Sequence, residues 1–268
     1  MYRKLLFSGT WYSSSKPELE SLMACDEKAQ DAQMAVLPHA GLVFSAPLTK
    51  AFFCQLDRSI DKLLILSPSH YFHLPADQLC YADFDSYQGP FGDLEGFCLG
   101  SGYERQVQSE HGVEMMLPFA SRKGSLKIAA ALVNQLSSAS MARELAMELD
   151  RCIDSTTAVI ASSDFTHYGR NFGYVPYGAF IDRSVREKVY DHDMAVAKRL
   201  AGGTMEYRED TTICGLGASC IVSELARMRG LEGRLEAMSD SLSITGLGTS
   251  SFVSYASVIW RNQDDKRG

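Results

Sequence analysis

Of the six histidines in this chain, three stand just beyond an apolar run: His39 in "VLPHAG", His70 in "LSPSH" and His167 in "SSDFTH". Short apolar runs closed by proline or serine predict buried strands. If those strands are parallel, their ends share one sheet edge and the imidazoles can meet there. Imidazole is the commonest metal ligand, and two histidines with one anionic ligand make an open site suited to Fe(II). The anion could be Asp164, a glutamate or the thiolate of Cys214. Cys214, in "TTICGLG", precedes a run that reads as a helix, whose N-terminal dipole favours the thiolate. Thiolate in place of carboxylate softens the site and favours iron, copper or zinc over magnesium. Asp164 lies three residues before His167. On a tight turn or first helical turn the two would share a face, with the carboxylate holding the imidazole in one tautomer for proton transfer.

Structural roles remain open for each of these residues. A strand-end histidine can be a loop or capping residue, Cys214 an inert buried thiol, and Asp164 a helix cap. His111 in "SEHGVE" reads either as a first-turn helix residue or as a substrate contact in the same pocket. His73 and His192 have no supporting spacing and are assigned to surface or local bonds.

The elements that must position these residues alternate between strand and helix. Helices are predicted over residues 16–27, 45–56, 140–152 and 179–200, with a helical start at 110–122 that Pro118 should kink or end. A further helix running to Gly230 is expected to take Thr211 or Thr212 as its cap. Strands are predicted over 34–37, 62–66, 126–133 and 157–161 and in "FVSYASVIW", with extended segments over 78–84 and a hairpin around "GPFGDL". The alternation predicts a single three-layer α/β/α domain over 1–268, built on a mostly parallel or mixed central sheet. In such sheets ligands bind beyond the carboxyl ends of the strands.

Composition sets outer limits. With 46% hydrophobic and 22% charged residues the chain has an ordinary globular balance, and the apolar-free tail "NQDDKRG" is where fraying is expected. A net charge of −7 without a clustered basic stripe disfavours nucleic acid as a partner. No apolar stretch is long enough for a membrane span, and "MYRKLLFSGTWYSSS" lacks the longer apolar segment of a signal peptide. The seven cysteines are odd in number and include no CxxC pair, so a reducing, cytoplasmic setting is expected. Cys25, Cys54, Cys80, Cys98, Cys152 and Cys220 read mostly as small core hydrophobes.

At these motifs the chain resembles the MEMO family, which includes the proteins called AmmeMemoRadiSam system protein B. The resemblance runs through "GTWYSSS", "PHAGLVFSAP", "LSPSHYFHL", "GPFGDL", "SEHGVEMMLPF", "SSDFTHYG", "TICGLG" and "SYAS", in the family's order. It implies a fold similar to the LigB-type class III extradiol dioxygenases, which use non-haem Fe(II). It also implies a metal pocket lined by His39, His70 and Cys214, with Asp164 and His167 on its border and His167 as the counterpart of an acid/base histidine. Thr166 and Tyr168 stand where animal members carry Cys and Trp, and Met116 where some carry His; these exchanges are expected to reshape the pocket.

The expected function is thus a metal-binding redox protein with a dioxygenase-like pocket, using Fe(II), with copper or zinc as alternatives. A second reading is a non-catalytic binding module whose pocket takes a peptide or docks a radical-SAM or AMMECR1-like protein. A third is a zinc hydrolase, since His and Cys ligands suit zinc equally well.

Overall fold

The computed structural model describes residues 1–24, 31–205, 211–247 and 249–262. Its strands are β1 (Tyr2–Arg3), β2 (Ala32–Leu37), β3 (Lys62–Pro68), β4 (Leu79–Ala82), β5 (Ser86–Tyr87), β6 (Leu94–Glu95), β7 (Lys127–Val133), β8 (Thr157–Ser162), β9 (His167–Gly169), β10 (Glu232–Asp240) and β11 (Ser251–Arg261). Its helices are α1 (Lys16–Met23), α2 (Leu42–Gln55), α3 (Glu104–Ser109), α4 (His111–Glu114), α5 (Leu117–Lys123), α6 (Ala139–Cys152), α7 (Arg183–Ala201), α8 (Leu216–Met228) and α9 (Leu242–Thr245).

The main sheet runs β10-β11-β2-β8-β3-β7-β4, with β9 paired to β11, and it is mixed, as the sequence pattern implies. At its centre β2, β8, β3 and β7 are parallel, while β4, β10 and β11 run antiparallel to their neighbours. The central strands are nearly continuous apolar runs because both faces are covered. Successive side chains point to opposite faces. Ala35, Leu37, Leu63, Ile65 and Ile160 enter one core with Phe52 and Phe53 of α2. Met34, Val36, Leu64, Leu66 and Val159 enter the other, with Leu145 and Leu149 of α6 and Ile221 and Leu225 of α8. This is the three-layer α/β arrangement.

Several expected boundaries shift for local reasons. The first helix ends at Met23 with Ala24 as its C-cap, and residues 25–27 of the predicted span, Cys25 among them, lie outside the described residues, as does all but Asn262 of the tail. α7 begins at Arg183 because the Asp182 carboxylate caps it, accepting from the Val185 N–H at 2.9 Å. Neither Thr211 nor Thr212 caps α8; its cap is Gly215, and the Thr212 hydroxyl instead accepts the His167 N–H at 3.0 Å. Pro118 falls in the first turn of α5, so the 110–122 segment divides into two short helices. Among the cysteines, Cys80 and Cys220 are buried as expected, but Cys98 and Cys152 are exposed and Cys54 is disulfide-bonded. No helix among the described residues is long and apolar enough to cross a membrane.

Candidate metal centre

Because β2, β3 and β8 are parallel, their carboxyl ends open on one edge, and the three strand-end histidines are there. His39 follows β2, His70 follows β3, and His167 opens β9 just after β8. Cys214 arrives from the other side of the chain, immediately before the cap of α8. His39, His70 and Cys214 each offer a donor atom within 4.8 Å of the other two, and His39 Nε2 is 3.2 Å from Cys214 Sγ. Trp11, Phe44, His111, His167, Phe172 and Tyr255 are among the residues lining the adjoining cleft of about 390 Å³.

The hydrogen bonds behind each imidazole decide which nitrogen is free. The Ser162 hydroxyl donates to the Gly112 carbonyl at 2.6 Å, so it must accept from His39 Nδ1, at 2.9 Å. His39 Nε2 is left with its lone pair facing the thiol. His70 Nδ1 lies 2.7 Å from the Glu110 carboxylate, an acceptor, which again leaves Nε2 free. His167 Nδ1 donates to the Phe165 carbonyl at 3.1 Å. Gly112 makes the packing behind His39 possible: a Cβ there would come within 2.3 Å of Ser67 Oγ and 3.1 Å of His39 Nδ1.

Asp164 lines the cleft, where it could contact a substrate, but it does not hold the His167 tautomer as its spacing suggests. Residues 163–166 are not helical, so the i, i+3 geometry is absent. Its Oδ1 instead accepts the backbone N–H groups of His39 and Ala40 at 2.9 and 3.2 Å, and its own N–H donates to Cys214 Sγ at 3.2 Å. It therefore braces His39 and the thiol, while the Phe165 carbonyl sets the His167 tautomer. His111, whose ring centroid is 5.0 Å from that of His39, is in the cleft and packs against Trp11, the rings tilted by 39° with centroids 4.4 Å apart. Met116, Thr166 and Tyr168 do not line the cleft. Thr166 is committed to buried Asp193, with Oγ1 to Oδ1 at 2.7 Å.

Burial pushes His39, His111, His167, Asp164 and Cys214 toward their neutral forms. It pushes His39 well below the usual imidazole range, an effect reinforced by His111, His70 and His167. His111 falls to about 4, by burial and then by His70, and burial also lowers His167. Burial lifts Asp164 to about 7, although the N–H groups of His39 and Ala40 pull the other way. The Cys214 thiol is pushed up by burial and by Asp164, so proximity to a helix start does not by itself produce a thiolate. Imidazoles with Nδ1 engaged and Nε2 free, beside a thiol, fit a divalent cation, which would deprotonate the thiol on binding.

A pH dependence follows for the metal-free protein. A histidine whose folded pKa is depressed stabilises fully above its ordinary value of 6.5, and that stability is lost as pH falls toward about 4. For His111 the loss is about 3 kcal/mol. Asp164 runs oppositely, its contribution falling as pH rises through about 7. Urea unfolding of wild type and His111→Phe at matched pH isolates the histidine term. A variant with the wild-type slope would contradict it.

Glu110, Ser162 and Trp11 are the cleft-supporting residues that the sequence reading missed. The one available signal was Glu110 itself, a carboxylate directly before a helical histidine, at a position where Ser, Thr, Asp or Asn is usual.

A family profile described as Memo-like protein matches residues 3–96 and 100–259. Protein MEMO1 of Homo sapiens is 29% identical over 198 residues, which are 65% of this chain and 66% of that protein. Protein MEMO1 of Danio rerio is 28% identical over the same length, and a MEMO1 family protein of Schizosaccharomyces pombe 26% identical over 199 residues, 64% of its length. The matched part of the chain thus spans just under two thirds of these relatives.

Proposed function

The chain belongs to the Memo-like protein family, and from that membership and the pocket chemistry we propose that it is a metal-dependent redox protein with a dioxygenase-like site. The observation that carries this reading is the convergence of His39, His70 and Cys214 donors within 4.8 Å of one another beside an open cleft. Fe(II) is the metal we propose, with copper and zinc as the alternatives compatible with this donor set. Held by His39, His70 and Cys214, such a metal would supply Lewis-acid and one-electron chemistry.

The chain's own residues supply the rest. His167, neutral at pH 7 and with Nδ1 committed to Phe165, presents Nε2 as a base able to take a proton from a substrate hydroxyl and return it. Asp164 holds the His39 backbone, and His111 and Trp11 form a wall against which a substrate can be oriented.

The test is anaerobic purification, elemental analysis and oxygen uptake. Near-stoichiometric iron or copper, with uptake abolished in His167→Ala while metal is retained, is the expected result. A spectroscopically silent ion indifferent to oxygen would instead support the zinc hydrolase. A metal-free cleft holding peptide would support the binding module, for which half-exposed Phe172 on the cleft wall and Tyr71 beside His111 are suitable contacts.

A further inference from the structure

Glu110 is 1% exposed, yet its carboxylate accepts three hydrogen bonds. Oε2 accepts the backbone N–H of His70 at 2.8 Å; Oε1 accepts His70 Nδ1 at 2.7 Å and the Gly112 N–H at 3.1 Å. His111 Nδ1 lies 3.2 Å from the same Oε1, and 3.0 Å from the Tyr71 hydroxyl. The two imidazoles stand side by side, with centroids 4.2 Å apart. Burial works against ionising Glu110, but the His70 hydrogen bonds outweigh it and hold the carboxyl below its ordinary range. One buried anion therefore anchors the loop after β3, caps α4 and orients His70.

We propose that Glu110 is the positioning residue of the metal centre, fixing His70 as the Nδ1–H tautomer so that Nε2 is left to ligate. This rests on the metal reading given above. A carboxylate behind a ligating histidine orients the ring and raises its basicity, and its loss costs roughly 10–100-fold in metal affinity. Glutamine cannot reproduce the pattern. His70 presents two donors, its backbone N–H and Nδ1–H, to the two carboxylate oxygens, and an amide offers one oxygen and one NH₂. In Glu110→Gln the NH₂ must oppose one of them. Facing the backbone N–H, it displaces the loop; facing Nδ1, it favours the Nε2–H tautomer, which has no lone pair left for the metal.

The test has two parts. Long-range ¹H–¹⁵N NMR of the metal-free wild type should find His70 protonated on Nδ1, and anaerobic Co(II) titration should show roughly 10–100-fold weaker binding in Glu110→Gln at unchanged stoichiometry. His111→Ala, which leaves the His70 contacts in place, should keep both the tautomer and the affinity. A wild-type His70 protonated on Nε2 overturns the proposal even if the variant does not fold. Equal affinity in wild type and a folded Glu110→Gln overturns the role of Glu110 alone. Failure of wild type to bind Co(II) overturns the metal reading on which it rests. A second Co(II) equivalent, lost in His111→Ala, would make Glu110 a ligand rather than a support and so overturn the proposal too.

Discussion

A Cys214→Ser variant, prepared anaerobically beside wild type, is expected to lose almost all of its bound metal, and His39→Ala to do the same. The effect should exceed the roughly 10–100-fold attached to a supporting residue, because each substitution removes a donor atom. Cys214 is the one ligand of the group that can become anionic, and it faces His39 Nε2 at 3.2 Å. A serine hydroxyl is a harder donor and far more reluctant to ionise, so the site is left with two neutral imidazoles and no charge to offset the cation. Burial and Asp164 hold the free thiol above its ordinary range, so metal binding must expel the thiol proton. Affinity should therefore fall with decreasing pH in wild type and lose most of that dependence in the serine variant. Elemental analysis reads the occupancy, and thiolate-to-metal charge-transfer absorption of the Co(II) form reads the sulfur ligand. Full occupancy in both variants would remove these residues from the ligand set.

The path from sequence to this site was legible where the signal is local. The runs ending at Leu37, Pro68 and Ser162 are apolar on both faces because they are central parallel strands, and the histidines beyond them had one edge on which to meet. Where a polar group is claimed by a distant partner, local reading failed. Thr212 looked like a helix cap, but its hydroxyl is taken by His167, and Asp164 looked like the His167 partner but reaches the backbone of His39 instead. β10 gives no local strand signal because "EGRLEAMSD" is a half-exposed edge strand whose charges mask its alternation. The supports Ser162, Glu110 and Trp11 act across tens of residues of chain, which no spacing rule reports. The helical motif "SEHGVE" holds two of the most consequential carboxylates, and only its histidine was singled out.

The second of those carboxylates gives the largest expected stability effect: Glu114→Ala should lower the unfolding free energy by about 3–5 kcal/mol. The side chains of Glu114 and Arg3 are both 0% exposed, and they pair at 3.1 Å. Glu114 also accepts the N–H groups of Leu6 and Phe7, at 2.9 and 2.8 Å, and the Tyr12 hydroxyl at 3.0 Å. It thus fastens the N-terminal segment that carries Trp11 onto the face of His111. Truncation to alanine strands a buried guanidinium and two backbone donors at once, and each is costly to leave without an acceptor. Arg3 keeps its bonds to the Val107 and Glu110 carbonyls, so the segment should loosen rather than detach. Urea unfolding measures the loss, and a red shift of tryptophan emission reports the freeing of Trp11. The double variant Arg3→Met, Glu114→Leu should recover much of the stability, because it removes the stranded charge and fills the space with apolar volume. It should not restore the contacts to Leu6 and Phe7, so the emission shift should persist. A cost below about 1 kcal/mol for Glu114→Ala would mean that the pair is in effect solvated and that the wall behind His111 is held by packing alone.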